Sequence, residues 1–311
     1  AASDVYKRQV WGMRFVEQQF FPTSDRTELI VDVTERANAS IAKTDESIAR
    51  LEAFLKTQEE ALFFTSYIGR GAPRFILSMD VPTPGPYMGQ ILIQTPDLAA
   101  RDRLTAAIVD FSRRRLVGTD IYVKNLEIGP PVGKPVQYRV SSPDLQEARD
   151  AARDLAAVLS HEPRLRDIAL DWSEPARVVR LRVNQDLARK LGISSEDISA
   201  ALAGTFTGRA ITQLRDGIFL INIVARGSDA DRTSLESIQN LQLATATGTP
   251  IPIAALARLE YATEQPLIMQ RDGLPTVTVK ADIASGEQPA TLVNDLAGRI
   301  AEFQALSLIH I

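Results

Sequence analysis

Few side chains in this sequence could carry out acid–base or nucleophilic chemistry. Its 311 residues include no cysteine, and the two histidines are His161 and His310. A chain without cysteine has no thiol nucleophile, no zinc–thiolate site and no disulfide. His161 closes a predicted helix, and the surrounding sequence does not supply the nucleophile and orienting group that a histidine base requires. We therefore expect no enzyme, no catalytic residue and no cofactor.

Acidic and sulfur-containing side chains give no clear metal site. Asp167, Asp171 and Glu174 form an acidic cluster near a predicted strand end, where dense charge usually lies in solvent. The thioether side chains, which are soft metal ligands, are Met13, Met79, Met88 and Met269. Met79 and Met88 could approach each other across a strand pair, but two thioethers without a third make a weak site. We expect no bound metal.

The composition is ordinary for a globular chain and carries no nucleic-acid signal. Apolar residues make up 45% and charged residues 24% of the chain, and the formal net charge is −4. Interspersed charges with a negative sum do not suit a polyanion, so we expect no nucleic-acid partner. No stretch reaches the roughly 18 apolar residues of a membrane helix. The run 10–16, which contains Trp11, resembles the last turn of such a helix at the membrane interface.

Both ends of the sequence stand apart from the rest. Residues 1–9 and 306–311 fit no pattern of their neighbours and resemble translated sequencing-adapter read-through. We predict that both segments are artefacts, which leaves His161 as the one histidine of the credible chain.

Hydrophobic periodicity alternates between two and about 3.6 residues, the pattern of strands connected through helices. The turn at 69–73, rich in glycine, is predicted to join two of the strands. In the first part of the chain the predicted strands are 29–33, 61–67, 74–79, 90–94 and 120–128, and the predicted helices are 40–56 and 96–115. The order indicates a split βαβ, or ferredoxin-like, unit.

A second unit of the same kind is predicted, with an insertion at 176–266 that has its own strands and a helix from Ser194. A short repeat, Thr-Pro-Asp-Leu at 95–98 and Ser-Pro-Asp-Leu at 142–145, opens two helices and indicates that the two units are related. In each copy we predict that the hydroxyl residue, Thr95 or Ser142, is the N-cap and that the proline is the first helical residue. The predicted parts of the second unit are strands at 135–140, 168–172 and 276–283 and helices at 143–159 and 289–303.

Three runs of sequence resemble the resistance-nodulation-division (RND) superfamily of bacterial efflux pumps. They are 18–26 (QQFFPTSDR), 183–198 (VNQDLARKLGISSEDI) and 269–275 (MQRDGLP), in the family's order and at about its spacing. The resemblance covers about residues 11–305 and implies the second, C-terminal periplasmic loop of an AcrB-like pump for hydrophobes and amphiphiles. The implied fold is α+β, with tandem ferredoxin-like porter subdomains, the second interrupted by an inserted α+β docking subdomain.

The resemblance also implies domain boundaries and a setting. A membrane-helix exit and linker would span 10–26, the first porter subdomain 27–133, the second 134–175 plus 267–305, and the docking subdomain 176–266. The whole protein would be a proton-driven antiporter of the bacterial inner membrane, with this part in the periplasm. It would form a homotrimer or a mixed trimer and pass amphiphilic small molecules to a periplasmic adaptor protein and an outer-membrane channel. Its proton-carrying residues would lie outside this sequence.

Candidate site residues follow from the same resemblance. A switch loop between two substrate pockets would consist of Ile68, Gly69, Arg70, Gly71, Ala72, Pro73 and Arg74. The predicted substrate pathway is lined by Phe63, Phe64, Tyr67, Phe75, Val136, Tyr138 and Val140. Aromatic side chains suit loosely specific binding because they offer flat apolar area at little entropic cost. Two plainer interpretations stay open, namely that the loop is an ordinary glycine-rich hairpin turn and that the strand residues are core.

The sequence departs from the best-known drug pumps at Arg70 and Arg74, where aromatic residues are expected. The two cations make a deep aromatic drug pocket doubtful and favour anionic amphiphiles as substrates. Two other functions stay open. One is a heavy-metal pump of the same superfamily, and the other is a soluble tandem ferredoxin-like module that binds a ligand.

Overall fold

A computed structural model describes residues 24–77, 79, 81–126, 133–172, 174–284 and 288–307. The predicted artefact at 1–9, most of the predicted membrane exit at 10–26 and residues 308–311 lie outside this part. The chain divides into two compact units, one formed by residues up to 176 and from 265 onward, the other by residues 177–264. We call the latter the inserted unit. Both contain helices and antiparallel strands, which confirms the α+β class.

Residues 28–125 form a ferredoxin-like arrangement that we call the first half. Its elements are β1 (Glu28–Thr34), α1 (Ile41–Leu55), β2 (Phe63–Ile68), β3 (Met88–Gln94), α2 (Leu98–Arg115) and β4 (Asp120–Asn125). The strands form an antiparallel sheet in the order β2-β3-β1-β4, and Val31 lies opposite Ile91 and Val123. Branched side chains such as these favour strands because they pack well on a pleated sheet.

The predicted strand at 74–79 is wrong. Residues 74–77 are not in a strand, and β2 pairs with β3, with Tyr67 opposite Gln90. The apolar residues that suggested a strand, Ile76 and Met79, instead place their side chains against the face of the sheet. The glycine-rich turn is therefore the start of a β2–β3 loop that spans residues 69–87, and not a hairpin turn.

One face of the first sheet packs against the two helices and forms the core. Leu29, Val31 and Val33 of β1 are fully buried in this core, together with Ile48 and Leu51 of α1. Because side chains alternate along a strand, the residues between them lie on the other face, which we call the outer face. Phe54 of α1 and Phe111 of α2 are stacked, with ring centroids 4.3 Å apart, and connect the two helices.

A second half of the same topology is formed around residues 136–172 and 270–307. Its elements are β5 (Val136–Ser141), α3 (Leu145–Ser160), β6 (Leu165–Leu170), β13 (Gln270–Arg271), β14 (Leu274–Ile283) and α9 (Pro289–Ser307). The central strand, β14, lies between β5 and β6 and is antiparallel to both. The order β6-β14-β5 matches the order β2-β3-β1, so the two halves repeat one arrangement.

Strand β6 lies a few residues earlier than the predicted 168–172. It begins at Leu165, which pairs with Ile283 of β14. Beyond the strand, Asp171 Oδ1 accepts from the backbone N–H of Thr278 at 2.7 Å. The indole Nε1 of Trp172 donates to the carbonyl of Thr276 at 3.0 Å. These side-chain hydrogen bonds extend the contact between residues 171–172 and β14 beyond the end of the β6–β14 ladder. The apolar sequence pattern therefore continues past the end of β6.

The short repeat at 95–98 and 142–145 has a capping role, although not the predicted one. The predicted N-cap hydroxyls belong to Thr95 and Ser142, but the N-caps are Asp97, which accepts from the N–H of Ala100, and Asp144, which accepts from that of Glu147. An aspartate suits this position because it satisfies free backbone N–H groups and faces the positive end of the helix dipole. The two capped helices are α2 and α3, which are not equivalent in the topology, since α3 occupies the place of α1. The repeat therefore reflects shared capping and does not align the two halves.

The inserted unit has a small core of its own around Ile193, Ile198 and Ile253. Capping boxes begin two of its helices, at Ser194 and Ser228. Its elements are β7 (Ala176–Val183), α4 (Gln185–Lys190), α5 (Ser195–Phe206), β8 (Arg209–Asp216), β9 (Phe219–Ala225), α6 (Asp229–Thr233), α7 (Leu235–Asn240), β10 (Gln242–Ala244), β11 (Pro250–Pro252), α8 (Ile253–Leu256) and β12 (Ala257–Glu264).

Strands β8 and β9 form a two-stranded hairpin whose residues are all exposed. Leu214 lies opposite Ile221, so the side-chain alternation places both on one face together with Phe219 and Ile223. On the other face the amide of Gln213 donates to that of Asn222 at 2.8 Å. The inserted unit thus presents an exposed hairpin that is rich in apolar side chains, including Leu220 and Val224 on this second face.

Lys134 lies at the junction of the two halves. Its side chain is only 12% exposed, and its ammonium lies 3.7 Å from the carboxylate of Asp282 in β14. The same ammonium donates to the backbone carbonyl of Asp167 and lies 5.0 Å from the centre of the Tyr122 ring in β4. Asp167, which has a positive φ of 45°, also pairs with Arg113 of α2 at 3.4 Å. One partly buried cation therefore contacts strands of both sheets.

Replacing Asp282 with asparagine is expected to flatten the pH dependence of stability. Burial raises the pKa of Asp282, Lys134 lowers it by attraction, and nearby Asp167 raises it further. Because the net shift is upward, the folded chain binds the proton more tightly, so stability falls as pH rises from the ordinary aspartate range through the raised pKa. The Asp282→Asn chain should lose less stability in that window. Urea unfolding measured between about pH 4 and about pH 7 tests this; a steeper loss in the variant contradicts it.

Candidate functional site

The β2–β3 loop lies over part of the outer face of the first sheet. Ala72 and Met79 of the loop are buried there against Ile30 of β1 and Leu126, which follows β4. Tyr67, Ile76 and Leu92 pack against this cluster and are partly buried. The β2–β3 loop, residues 69–87, therefore crosses the sheet, and we call it the strap. The predicted switch loop at residues 68–74 lies at its start.

Backbone hydrogen bonds join the beginning and the end of the strap, and we call this junction its neck. The N–H of Gly69 donates to the carbonyl of Met88 at 2.8 Å, and the N–H of Gly85 donates to the carbonyl of Gly69 at 3.0 Å. Gly69 has a φ of +76°, which a residue with a side chain rarely adopts. A side chain there would also approach Ile41 Cδ1 at 3.1 Å. Gly69 is a predicted switch-loop residue, whereas its hydrogen bond with Gly85 was not predicted, because the two glycines are distant in sequence.

A network of polar side chains, centred on the buried Gln90, connects the strap to the sheet. Gln90 of β3, which has no exposed surface, accepts from the N–H of Ala72 through Oε1 at 2.8 Å. The Nε2 of the same amide donates to Asp32 Oδ1 in β1 at 2.6 Å. Asp32 Oδ2 in turn lies 2.5 Å from the ammonium of Lys124 in β4. None of these three side chains is among the predicted site residues, although a carboxylate inside the apolar run 29–33 is a usable signal.

The four aromatic residues predicted to flank the loop have different surroundings. Phe64 packs against the helical core of the first half, and Tyr67 packs against the outer-face cluster. Phe63 is 66% exposed and Phe75 is 46% exposed, so these two offer apolar surface to a ligand. Further exposed apolar side chains along β2 and the strap are Leu62, Leu77 and Val81.

Both arginines of the switch loop are exposed. Arg74 donates through its guanidinium to the carbonyl of Leu77, two residues beyond Phe75. Arg70 precedes Gly71 and Ala72, and Pro73 separates Ala72 from Arg74. The anchored Ala72 therefore lies between two exposed cations, beside apolar surface.

The three predicted residues of β5 lie on the buried face of the second sheet. Val136 and Val140 are 1% and 0% exposed, inside the core that α3 and α9 cover. Tyr138, on the same face, is partly buried against that core, and its hydroxyl has no hydrogen-bond partner among the described residues. Burial raises the pKa of Tyr138. In this structure the two valines offer no surface to a ligand, so the pathway role of this strand stays a prediction.

The methionines that the structure describes, Met79, Met88 and Met269, have different surroundings. Met79 is 3% exposed in the outer-face cluster, while Met88 is 4% exposed and pairs with Thr34 at the start of β3. Met269 is 47% exposed and precedes β13 in the second half. Across the residues that the structure describes, no group of three or more histidine, cysteine or acidic side chains has the arrangement to hold a metal ion.

A model of the AcrB/AcrD/AcrF family matches residues 4–302 of the chain. The chain belongs to this family of RND efflux transporters. The match begins inside the segment 1–9 that we predicted to be an artefact and ends before 306–311. The three runs that resemble the superfamily, 18–26, 183–198 and 269–275, lie inside the matched range.

Two solved structures of the same fold are crystal forms of a heavy metal efflux pump. In crystal form II the identity is 20%, the TM-score is 0.76, and 96% of this chain covers 32% of the pump chain. In crystal form I the identity is 21%, the TM-score is 0.77, and the coverages are 97% and 32%. This chain therefore spans about a third of the length of that pump. At this identity the likeness concerns the fold.

Among the described residues, no helix has both the length and the apolar character to cross a bilayer. The described residues offer exposed apolar side chains along β2 and the strap, and two exposed arginines in the strap. Aromatic side chains provide apolar contact area and guanidinium groups attract anions.

Proposed function

We propose that this chain is the periplasmic part of a proton-driven inner-membrane efflux pump that binds amphiphilic organic compounds. The observation that carries the proposal is the exposure of Phe63, Phe75 and both switch-loop arginines in a member of the AcrB/AcrD/AcrF family. The pump would act as a trimer and pass its substrates through a periplasmic adaptor protein to an outer-membrane channel. The proposal assigns no enzymatic reaction and no cofactor to the chain.

Heavy-metal efflux is a second candidate, because the structurally similar protein, seen in two crystal forms, is a heavy metal efflux pump. The arrangement of the soft side chains favours organic compounds instead. Met79 and Met88 are buried, and each is already packed within the first half. A soft metal needs several thioethers or thiolates that converge on one accessible point.

The DNA around this reading frame provides the first test of the pump assignment. Membrane helices encoded on both sides, with carboxylates inside them, would establish the larger transporter. Start and stop codons that bound the two halves would leave a soluble ligand-binding module, and the transport proposal would fall.

Susceptibility measurements test the substrate class. The complete pump, expressed in an efflux-deficient bacterium, is expected to raise resistance to amphiphilic organic compounds and not to copper or silver salts. Phe63→Ala together with Phe75→Ala should reduce that resistance because the change removes the exposed aromatic area. Tyr261→Ala is the matched control, since Tyr261 is an aromatic residue of the inserted unit with 79% exposure. Resistance to the metals alone would favour the second candidate.

Replacing both switch-loop arginines with alanine is expected to change substrate preference. Arg70 and Arg74 would attract anionic groups, and guanidinium–anion hydrogen bonds are among the stronger polar contacts. Resistance to anionic amphiphiles should therefore fall several-fold more than resistance to neutral ones. Charge-preserving lysine replacements serve as the control. An equal change for anionic and neutral compounds would remove the arginines from the proposal.

A further inference from the structure

We propose that the side chain of Gln90 positions the switch loop. We further propose that the Asp32–Lys124 ion pair fixes the orientation of the Gln90 side-chain amide. The inference rests on the proposed role of the loop in transport, although the contacts behind it do not. Gln90 lies on the outer face of β3, directly beneath the strap. Both ends of its side-chain amide are used, one by the loop and one by the sheet.

The polarity of the amide is set by its neighbours. Asp32 as a carboxylate can only accept hydrogen bonds, so the NH2 group of Gln90 must face it. The carbonyl end, Oε1, is then the end that faces the N–H of Ala72. In the reverse orientation two donors would meet at Ala72, and two acceptors would meet at Asp32. The buried site therefore permits one orientation.

Lys124 keeps this arrangement stable. Its ammonium lies 2.5 Å from Asp32, and the two side chains are 22% and 18% exposed. Burying a charge costs free energy, and an opposite charge beside it offsets part of that cost. Lys124, on the edge strand β4, thus acts on the loop through two intermediate side chains.

The hydrogen bond to Ala72 adds direction to apolar contacts that have none. Ala72, Ile76 and Met79 hold the strap by apolar contact, which tolerates small displacements. A buried hydrogen bond requires a narrow range of distance and angle. Gln90 therefore determines where the segment between Arg70 and Arg74 lies on the sheet.

The two exposed arginines make the position of the loop measurable. Trypsin cleaves after Arg70 and Arg74, and its rate follows the population of the opened loop when opening and closing are fast. In the 311-residue chain, Gln90→Leu is expected to raise cleavage at these two sites by about threefold to tenfold, the equivalent of one lost net hydrogen bond. Cleavage after Arg258, in the inserted unit, should not change.

A control from the same strand separates positioning from general damage. Gln94 lies four residues further along β3, on the same face, and donates to Thr27 Oγ1 at 2.5 Å, away from the loop. Gln94→Leu should leave cleavage at Arg70 and Arg74 within about twofold of the original chain. An equal rise in both leucine variants would overturn the proposal, and so would no rise in Gln90→Leu.

A pair of nearly isosteric changes tests the role of Asp32 directly. Gln90→Glu places a second carboxylate beside Asp32 and removes the donor, so cleavage at the loop should rise. Adding Asp32→Asn restores a donor–acceptor pair, because the asparagine amide can donate to the introduced carboxylate while that carboxylate accepts from Ala72. Cleavage should then return towards the original rate. Failure of this rescue, with the double variant folded by circular dichroism, would overturn the role of Asp32.

Transport measurements distinguish failure of this inference from failure of the proposed function. If Gln90→Leu accelerates cleavage and alters efflux by the complete pump, both stand. If cleavage accelerates and efflux does not change, Gln90 still positions the loop, but the loop has no part in transport. If efflux changes and cleavage does not, the positioning role of Gln90 is overturned.

Discussion

Leu155→Ala is expected to lower the free energy of unfolding of the second half by about 2–5 kcal/mol. Leu155 has no exposed surface and lies in α3, where β14 and α9 contribute Val277, Val279 and Leu292 to the same core. Removing its isobutyl group forfeits apolar burial and leaves a cavity that the tightly packed neighbours fill only in part. Urea unfolding monitored by tryptophan fluorescence measures the loss.

The emission can be assigned to the second half. The chain has two tryptophans, Trp11 and Trp172, so a Trp11→Phe background leaves Trp172 as the reporter. Trp172 is 6% exposed in the same core as Leu155. Leu145→Ala is the matched control, the same change in the same helix at 38% exposure, and it should cost much less. Equal losses for the two variants would show that α3 does not pack as described.

Gly89→Ala is expected to destabilise the first half by about 1–3 kcal/mol through overpacking. A methyl group at Gly89 would lie 2.3 Å from Ile48 Cδ1 and 2.8 Å from the carbonyl oxygen of Tyr67. The end of the isoleucine side chain can rotate away, but the carbonyl belongs to β2 and cannot move without opening the β2–β3 ladder. The strap begins at that ladder, so trypsin cleavage after Arg70 should also accelerate.

Gly298→Ala provides the opposite result from the same substitution. Gly298 lies inside α9, and a methyl group there would meet no atom within 4 Å. Alanine should stabilise that helix by about 0.8–1.0 kcal/mol, because glycine has the greater freedom to lose. Thermal unfolding followed by circular dichroism compares the two variants. A neutral or stabilising Gly89→Ala would show that α1 and β2 do not approach β3 this closely.

Periodicity in the sequence predicted most of the fold correctly because the buried faces are continuous. In β1 the short apolar run 29–33 predicts a strand, and its residues Leu29, Val31 and Val33 face the helices. The insertion was recognisable because the strand and helix needed to complete the second half appear only after residue 270. The predicted docking range 176–266 encloses the observed inserted unit, residues 177–264.

The prediction failed where side chains and backbone have different tasks. Ile76 and Met79 read as part of a strand, yet only their side chains are buried, and their backbone pairs with no other strand. A one-dimensional pattern records burial and does not record which groups complete a ladder. The capping repeat failed similarly, because Asp97 and Asp144 cap helices at unequal places in the two halves.

The candidate site was predictable only in part. The glycine at the neck and the exposed arginines were found from the sequence, since glycine and charge have local meaning. The polar network from Ala72 through Gln90 and Asp32 to Lys124 was not found from the sequence. Its four residues are distant in sequence and meet only after the sheet is assembled. For β5 the plainer interpretation describes the geometry, with Val136 and Val140 in the core.

The interruption of the second half has a consequence for synthesis of the chain. The first half is encoded without a break, so it can close as soon as β4 leaves the ribosome. In the second half, Ser141 of β5 meets Thr276 of β14 across 135 residues. The roughly 100 residues between β6 and β14 take on the order of 5–20 s to translate. During that interval β5, α3 and β6 must wait without their central strand, with an unpaired edge and an uncovered apolar face. The second half is therefore where we expect contact order to slow folding and where a nascent chain would first need a chaperone.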